Sequence, residues 1–178
     1  YFVGHSLGGI VGTTFLGVNS DVQSAVIAMS GGGIGKLLDG SVSFGPRIAA
    51  GLAAGSVIEG TDTYESFLRF AQTLVDSGDP INYASTANNG NTRNILLYEV
   101  IGDAAANSLP DQVVPNNVPR NAPSVVIGGK LSGTDPLAVA LGLTAQTVTP
   151  CMAAATVAPN TVLKFTSGNH GSILSPNG

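Results

Sequence analysis

Residues 1–12 read YFVGHSLGGIVG. The run Gly4-His5-Ser6-Leu7-Gly8 fits G-x-S-x-G, a pattern suited to a sharp turn between a β-strand and a helix with the serine at its tip. Tyr1 to Val3 reads as the end of a buried strand, and Leu7 to about Gly17 as the helix that leaves the turn. Gly8, Gly9 and Gly12 lie along that helix, where a glycine costs about 1 kcal/mol relative to alanine. Close approach of the helix to a sheet is the expected reason for them. Any glycine-rich chain can produce G-x-S-x-G by chance, and this one has 24 glycines. The strand before the motif and the helix after it therefore carry the weight.

Working outward, QSAVIAMS (23–30) is a short apolar run with β-branched residues, expected as a second buried strand. GGGIG follows as a loop. A long excursion then runs from about Gly31 to Thr92. Its first part, GPRIAAGLAAGSVIEG, is apolar and small. Its second, TDTYESFLRFAQTLVDSGDP, is the clearest helix: Tyr64, Phe67, Leu68, Ala71, Leu74 and Val75 recur at helical spacing. Asp62 with Glu65 resembles a capping box, and Gly78 and Pro80 stop the helix. RNILLYEVIGD (93–103) is a third strand, SVVIGG (124–129) a short strand or extended loop, and TVLKFTSG (161–168) the last strand. TDPLAVALGL (134–143) suits a helix capped by Asp135 with Pro136 first inside it. Strands alternating with helical crossovers predict an α/β class with a mostly parallel sheet and helices on both faces.

Composition narrows the class. Only 10% of residues are charged and 43% are hydrophobic, which argues against disorder. At 178 residues one domain is expected. The net charge of −4, with scattered Lys and Arg, offers nothing to nucleic acid or an anionic membrane surface. The longest apolar run, IAAGLAAGSVI, falls short of the ~20 residues of a membrane span. Cys151 is the single cysteine, either an inert buried thiol or half of a bridge to sequence not present here. Two histidines and one cysteine, well separated, make no metal-ligand cluster, so no cofactor or metal is expected.

Ser6 needs a base, because a serine hydroxyl is a weak nucleophile until its proton is removed. His170, in NHG just past the last strand, is the candidate; His5, inside the turn, is expected to point away from Ser6 and to be structural. The backbone N–H of Leu7, at the start of the new helix, would face a developing oxyanion. Two aspartates satisfy the chain order Ser, acid, His: Asp103, directly after the third strand, and Asp111, in LPDQVVPNN, where Val113, Val114 and Pro115 can anchor its loop.

GHSLGG, then IGD with PDQVVPNN, then GNHGSIL resemble the elbow, acid loop and histidine loop of α/β-hydrolase lipases. The longer runs GHSLGGIVGTTFLGVNSDV and SGGGIGKLLDGSVSFGPRI resemble a narrower group, the bacterial extracellular and surface virulence-factor lipases that include VolA. The resemblance implies carboxylic ester hydrolysis of acylglycerols or lysophospholipids, at or outside the surface of a Gram-negative cell. It implies Asp111, in Asp-x-Val-Val-Pro, as the triad acid in place of Asp103. It also implies that residues 1–178 form the C-terminal half of an α/β-hydrolase catalytic domain, with 31–92 at the place of a cap or lid. The N-terminal half, with its second oxyanion donor, would then be supplied as a partner, or a homodimer would form through the exposed strand edge. A peptidase or acyltransferase on the same scaffold, and a catalytically incompetent binding or structural module, are the rival expectations.

Overall fold

The computed structural model describes residues 1–90, 92–118, 132–148 and 157–175. The strands are β1 (Phe2–His5), β2 (Ser24–Ala28), β3 (Asn94–Val100), β4 (Thr144–Val148) and β5 (Thr161–Phe165). The helices are α1 (Leu7–Val18), α2 (Ile34–Asp39), α3 (Gly45–Ala54), α4 (Asp62–Val75), α5 (Ala84–Ala87) and α6 (Thr134–Ala140). The five strands form one sheet in the order β1-β2-β3-β5-β4, and every pairing is parallel. The α/β class and the parallel sheet are as expected. SVVIGG and Cys151 lie outside the described residues.

Strand alternation divides the sheet. Ala25, Ile27, Ile95, Leu97 and Val162 join Leu16 of α1, Ala84 and Ala87 of α5, and Leu137, Ala138 and Leu141 at α6 in one core. The helices packed against the sheet therefore share one face; a second helical layer is not found among the described residues. On the opposite face Tyr98 stacks on Phe165, ring centroids 5.7 Å apart. Gly9 and Gly12 have the packing reason expected of them. A Cβ on Gly9 would come within 2.9 Å of Ser30 Cβ, and one on Gly12 would collide with the Phe2 ring. Gly8 differs: a Cβ there meets open space.

The excursion splits in two. Its end, a 3-10 turn at Pro80–Tyr83 followed by α5, packs against α1 as part of the sheet's cover. Its beginning, α2, α3 and α4, packs chiefly on itself. Asp79, fully buried, ties the two parts together. It accepts hydrogen bonds from the N–H groups of Gly33 (2.9 Å), Ile34 (2.7 Å) and Ile81 (3.0 Å) and from Gln72 Nε2 (2.8 Å). One carboxylate thus serves the first turns of two helical segments.

Three local expectations need correction. The cap of α4 is Thr61, whose Oγ1 accepts from Tyr64 N at 3.3 Å; Asp62 is the first helical residue. The N-cap of α6 is Gly133, with φ +116; Thr134 is the first helical residue, Pro136 the third, and Asp135 lies between them with its carboxylate bound by Lys164 and Asn117. β4 was not expected at all. TAQTV is an exposed edge strand, so it lacks the continuous apolar run that marks the buried ones.

Candidate active site

The strand-to-helix turn forms as its sequence suggests. Ser6 has φ 55 and ψ −123, a sparsely populated backbone conformation costing roughly 1–3 kcal/mol. The surroundings hold it there. Ser6 N donates to Ala28 O at 2.8 Å, while Ser6 O accepts from Gly9 N at 2.9 Å and Ile10 N at 3.0 Å. A Cβ on Gly4 would strike the carbonyl oxygen of Gly8, so the tight turn requires glycine at Gly4. Gly8, open on that side, is not required for this reason. Leu7 is the first residue of α1, so its N–H has no intrahelical acceptor.

The acid loop hangs from the end of β3. Asp111 N donates to Val100 O at 3.0 Å, and Asn116 Nδ2 donates to the same carbonyl at 3.0 Å. Asp111 is 4% exposed. Its Oδ1 accepts from Val113 N at 2.8 Å and Val114 N at 3.2 Å, and buried Val114 anchors the turn. Ser41, between α2 and α3, donates through Oγ to Val113 O at 2.7 Å, fastening the excursion to this loop.

The histidine loop leaves the end of β5. Across 164 residues of sequence, His170 Nε2 lies 2.8 Å from Ser6 Oγ. Its other nitrogen, Nδ1, lies 2.7 Å from Asp111 Oδ2. Serine, imidazole and carboxylate thus form one continuous hydrogen-bonded line. Nδ1 carries a proton toward the carboxylate, which leaves Nε2 free to accept the proton of Ser6. Asp103 stands apart. It is exposed, and its Oδ1 accepts from Ala105 N at 2.9 Å, capping the 3-10 turn at Ala104–Ala106.

His5 makes a structural contact at the end of β1. Its Nε2 lies 2.7 Å from the backbone oxygen of His170, and the two imidazole centroids are 4.9 Å apart. Its side chain turns toward the histidine loop, a contact that the sequence did not suggest. Sequence reasoning also missed a buried ionic cluster beneath the acid loop. Glu99 of β3 is 1% exposed, and Lys164 Nζ on neighbouring β5 lies 2.8 Å from its Oε1. Lys164 also pairs with Asp135. Burial pushes Glu99 up to about 7; Lys164 pulls it down and Asp135 pushes it further up. Burial alone would lower Lys164, but Asp135 and Glu99 outweigh it and leave it raised. The charged residues in RNILLYEVIGD and TVLKFTSG were visible, yet nothing in the sequence says that both point inward.

No protein-family model matches the chain, and neither does any curated protein or any solved structure.

Proposed function

We propose that this chain carries the catalytic triad of a serine ester hydrolase of the lipase or lysophospholipase type, on the C-terminal half of an α/β-hydrolase fold. The line Ser6 Oγ, His170, Asp111, with its steps of 2.8 and 2.7 Å, is the observation that carries this reading. Ser6 attacks the ester carbonyl while His170 Nε2 takes its proton. The tetrahedral oxyanion faces the Leu7 N–H. His170 then returns the proton to the leaving alcohol, and an acyl-Ser6 remains. A water molecule, deprotonated by His170, attacks the acyl group; the bond to Ser6 Oγ breaks, His170 returns the proton to Ser6, and the acid leaves. Asp111 holds the imidazole in the required tautomer and stabilises its cation.

The choice of an ester of lipid type leans on the resemblance of the three motifs and on the surface of the excursion. Phe44, Ile58, Phe67, Phe70 and Leu74 on and around α3 and α4 are exposed, which suits a cap that meets acyl chains. An extracellular or cell-surface setting follows from the same resemblance. The outer edge of β1 pairs with no strand among the described residues, which fits a partner segment there that brings a second oxyanion donor.

The test is hydrolysis of matched nitrophenyl esters and nitroanilides by the wild type and by Ser6→Ala. Ester turnover lost in Ser6→Ala, with anilides untouched, is the expected result. Anilide cleavage of equal efficiency would favour a peptidase, and ester turnover that survives Ser6→Ala would remove the triad reading.

A further inference from the structure

We infer that His5 is a positioning residue for His170: a hydrogen-bond donor within the elbow that holds the backbone of the base in place for the proton transfer. This rests on the reading of Ser6, His170 and Asp111 as a triad.

The base sits on a loop that is largely exposed. Ser167, Gly168 and Asn169 are exposed. The hydrogen bonds within the loop are local: Asn169 N to Ser172 Oγ, 2.8 Å; Gly171 N to Asn169 Oδ1, 2.8 Å; Ser172 N to Asn169 O, 3.1 Å. These three bonds shape the loop from within. The imidazole itself is held by Asp111 and Ser6, and the second of these bonds is broken and remade during a reaction cycle. His5 supplies a contact that the chemistry leaves untouched. Its Nε2–H donates to His170 O at 2.7 Å across 165 residues of sequence. A carbonyl can only accept, so His5 must carry its proton on Nε2.

The geometry makes the coupling direct. His5 is the last residue of β1 and Ser6 follows it, so a rigid strand end holds both the nucleophile and the tether of the base. Strand register fixes His5, through His5↔Ala28, and the Ser6 N–H bond to Ala28 O fixes the nucleophile against the same residue. Losing the tether frees the His170 backbone to drift relative to Ser6. A misplacement of about 1 Å costs on the order of 100-fold in rate. The rings meet at 52°, so the pair is not a parallel stack, and the donor is the feature that ring packing does not replace.

Three variants separate donor from ring. His5→Phe keeps a ring and loses the donor. His5→Gln puts an amide N–H near the position of Nε2. His5→Ala removes both without risk of a clash, and stands in where the Phe variant does not fold. On a short-chain nitrophenyl ester, His5→Phe and His5→Ala should lose about 10-fold or more in kcat with KM unchanged, and His5→Gln should recover to within about 3-fold of wild type. A second readout needs no turnover: solvent exchange of the His170 Nδ1 proton, followed by proton–nitrogen NMR. Exchange should quicken in the Phe and Ala variants and return toward wild type in His5→Gln. Ser6→Ala serves as the control: if it retains turnover, the triad reading itself fails, whatever His5 does. If Ser6→Ala is inactive but the donor-less variants match wild type in kcat and exchange, His5 has no positioning role. If His5→Gln is as impaired as His5→Phe, restoring a donor restores nothing and the inference is overturned; if His5→Phe matches wild type while His5→Gln and His5→Ala are impaired, the effect is ring packing and the inference is likewise overturned.

Discussion

Two buried carboxylates face two basic groups across the same pair of strands, and they are treated in opposite ways. Asp111, beyond the end of β3, meets His170, beyond the end of β5; Glu99, within β3, meets Lys164, within β5. Asp111 accepts two backbone N–H bonds and a third bond from an imidazole, so each of its oxygens is engaged by an aligned donor. Glu99 has an ion pair with Lys164, but neither of its oxygens accepts a well-aligned hydrogen bond. Its carboxyl is accordingly pushed up to about 7 by burial. The difference is one of backbone. A loop can turn its N–H groups toward a carboxylate, whereas a central strand has already committed them to the sheet ladder. Chemistry is therefore expected where loops meet at the strand ends, and a pH-sensitive stability where the strand buries its charge.

Changing Asp111 should break the comparison most forcefully. Asp111→Asn keeps the shape and removes the charge and the correct imidazole tautomer, so turnover should fall on the order of 10⁴-fold. Thermal unfolding should move little by comparison. A variant with a much lower unfolding temperature but unchanged turnover while folded would make Asp111 a structural residue like Glu99.

Lys164→Met tests the other pair from its basic side. It leaves Glu99 buried without a partner, next to Asp135, and should cost about 3–5 kcal/mol near pH 8 in denaturant unfolding. The cost should shrink in acid, where Glu99 is protonated. A loss independent of pH would mean that the methylene stem of Lys164 matters more than its charge.

Glu99→Gln sharpens the same point. The folded protein binds this proton more tightly than the unfolded chain does. The stability tied to protonated Glu99 is thus fully present below pH 4.5 and is lost as pH rises through about 7. That displacement corresponds to about 3 kcal/mol. Glu99→Gln, locked in the neutral form, should flatten the fall in stability between pH 5 and 8 and leave turnover within about 3-fold of wild type. An unchanged pH slope would show that Glu99 is not the titrating group.

Asp103→Asn should have the smallest effect. An exposed cap of a short 3-10 turn is worth about 1 kcal/mol at most. Turnover should not change. If Asp103→Asn and Asp111→Asn exchanged behaviours, the acid would be Asp103.

How much of this was legible in the sequence depended on whether backbone or packing set the feature. The elbow was legible because a strained serine before a glycine-rich helix needs a particular local pattern, and Gly4, Gly9 and Gly12 match the close approaches that Ser6 and α1 make. β2, β3 and β5 were legible because buried parallel strands are continuous apolar runs. β4 was not, since an exposed edge strand of Thr, Ala and Gln carries no such run. Arg93 was passed over as one of a few scattered cations. It is 1% exposed, and its guanidinium donates to Leu16 O in the last turn of α1 (2.7 Å), to Ala87 O at the end of α5 and to Val22 O in the connection before β2 (2.7 Å). A cation at a helix C-terminus is a known preference, but which of several arginines folds inward is decided by tertiary contacts. The same holds for His5: its place in the motif was plain, while its contact with His170 depends on a loop that arrives 165 residues later.

Ser6 as the activated nucleophile is tested most directly by covalent labelling with a fluorophosphonate, followed by mass spectrometry of the modified peptide. The prediction is a single adduct on Ser6, formed rapidly in the wild type and at least about 100-fold more slowly in His170→Ala. A folded protein that carries no adduct on Ser6, or that labels Ser6 equally fast without His170, would contradict it.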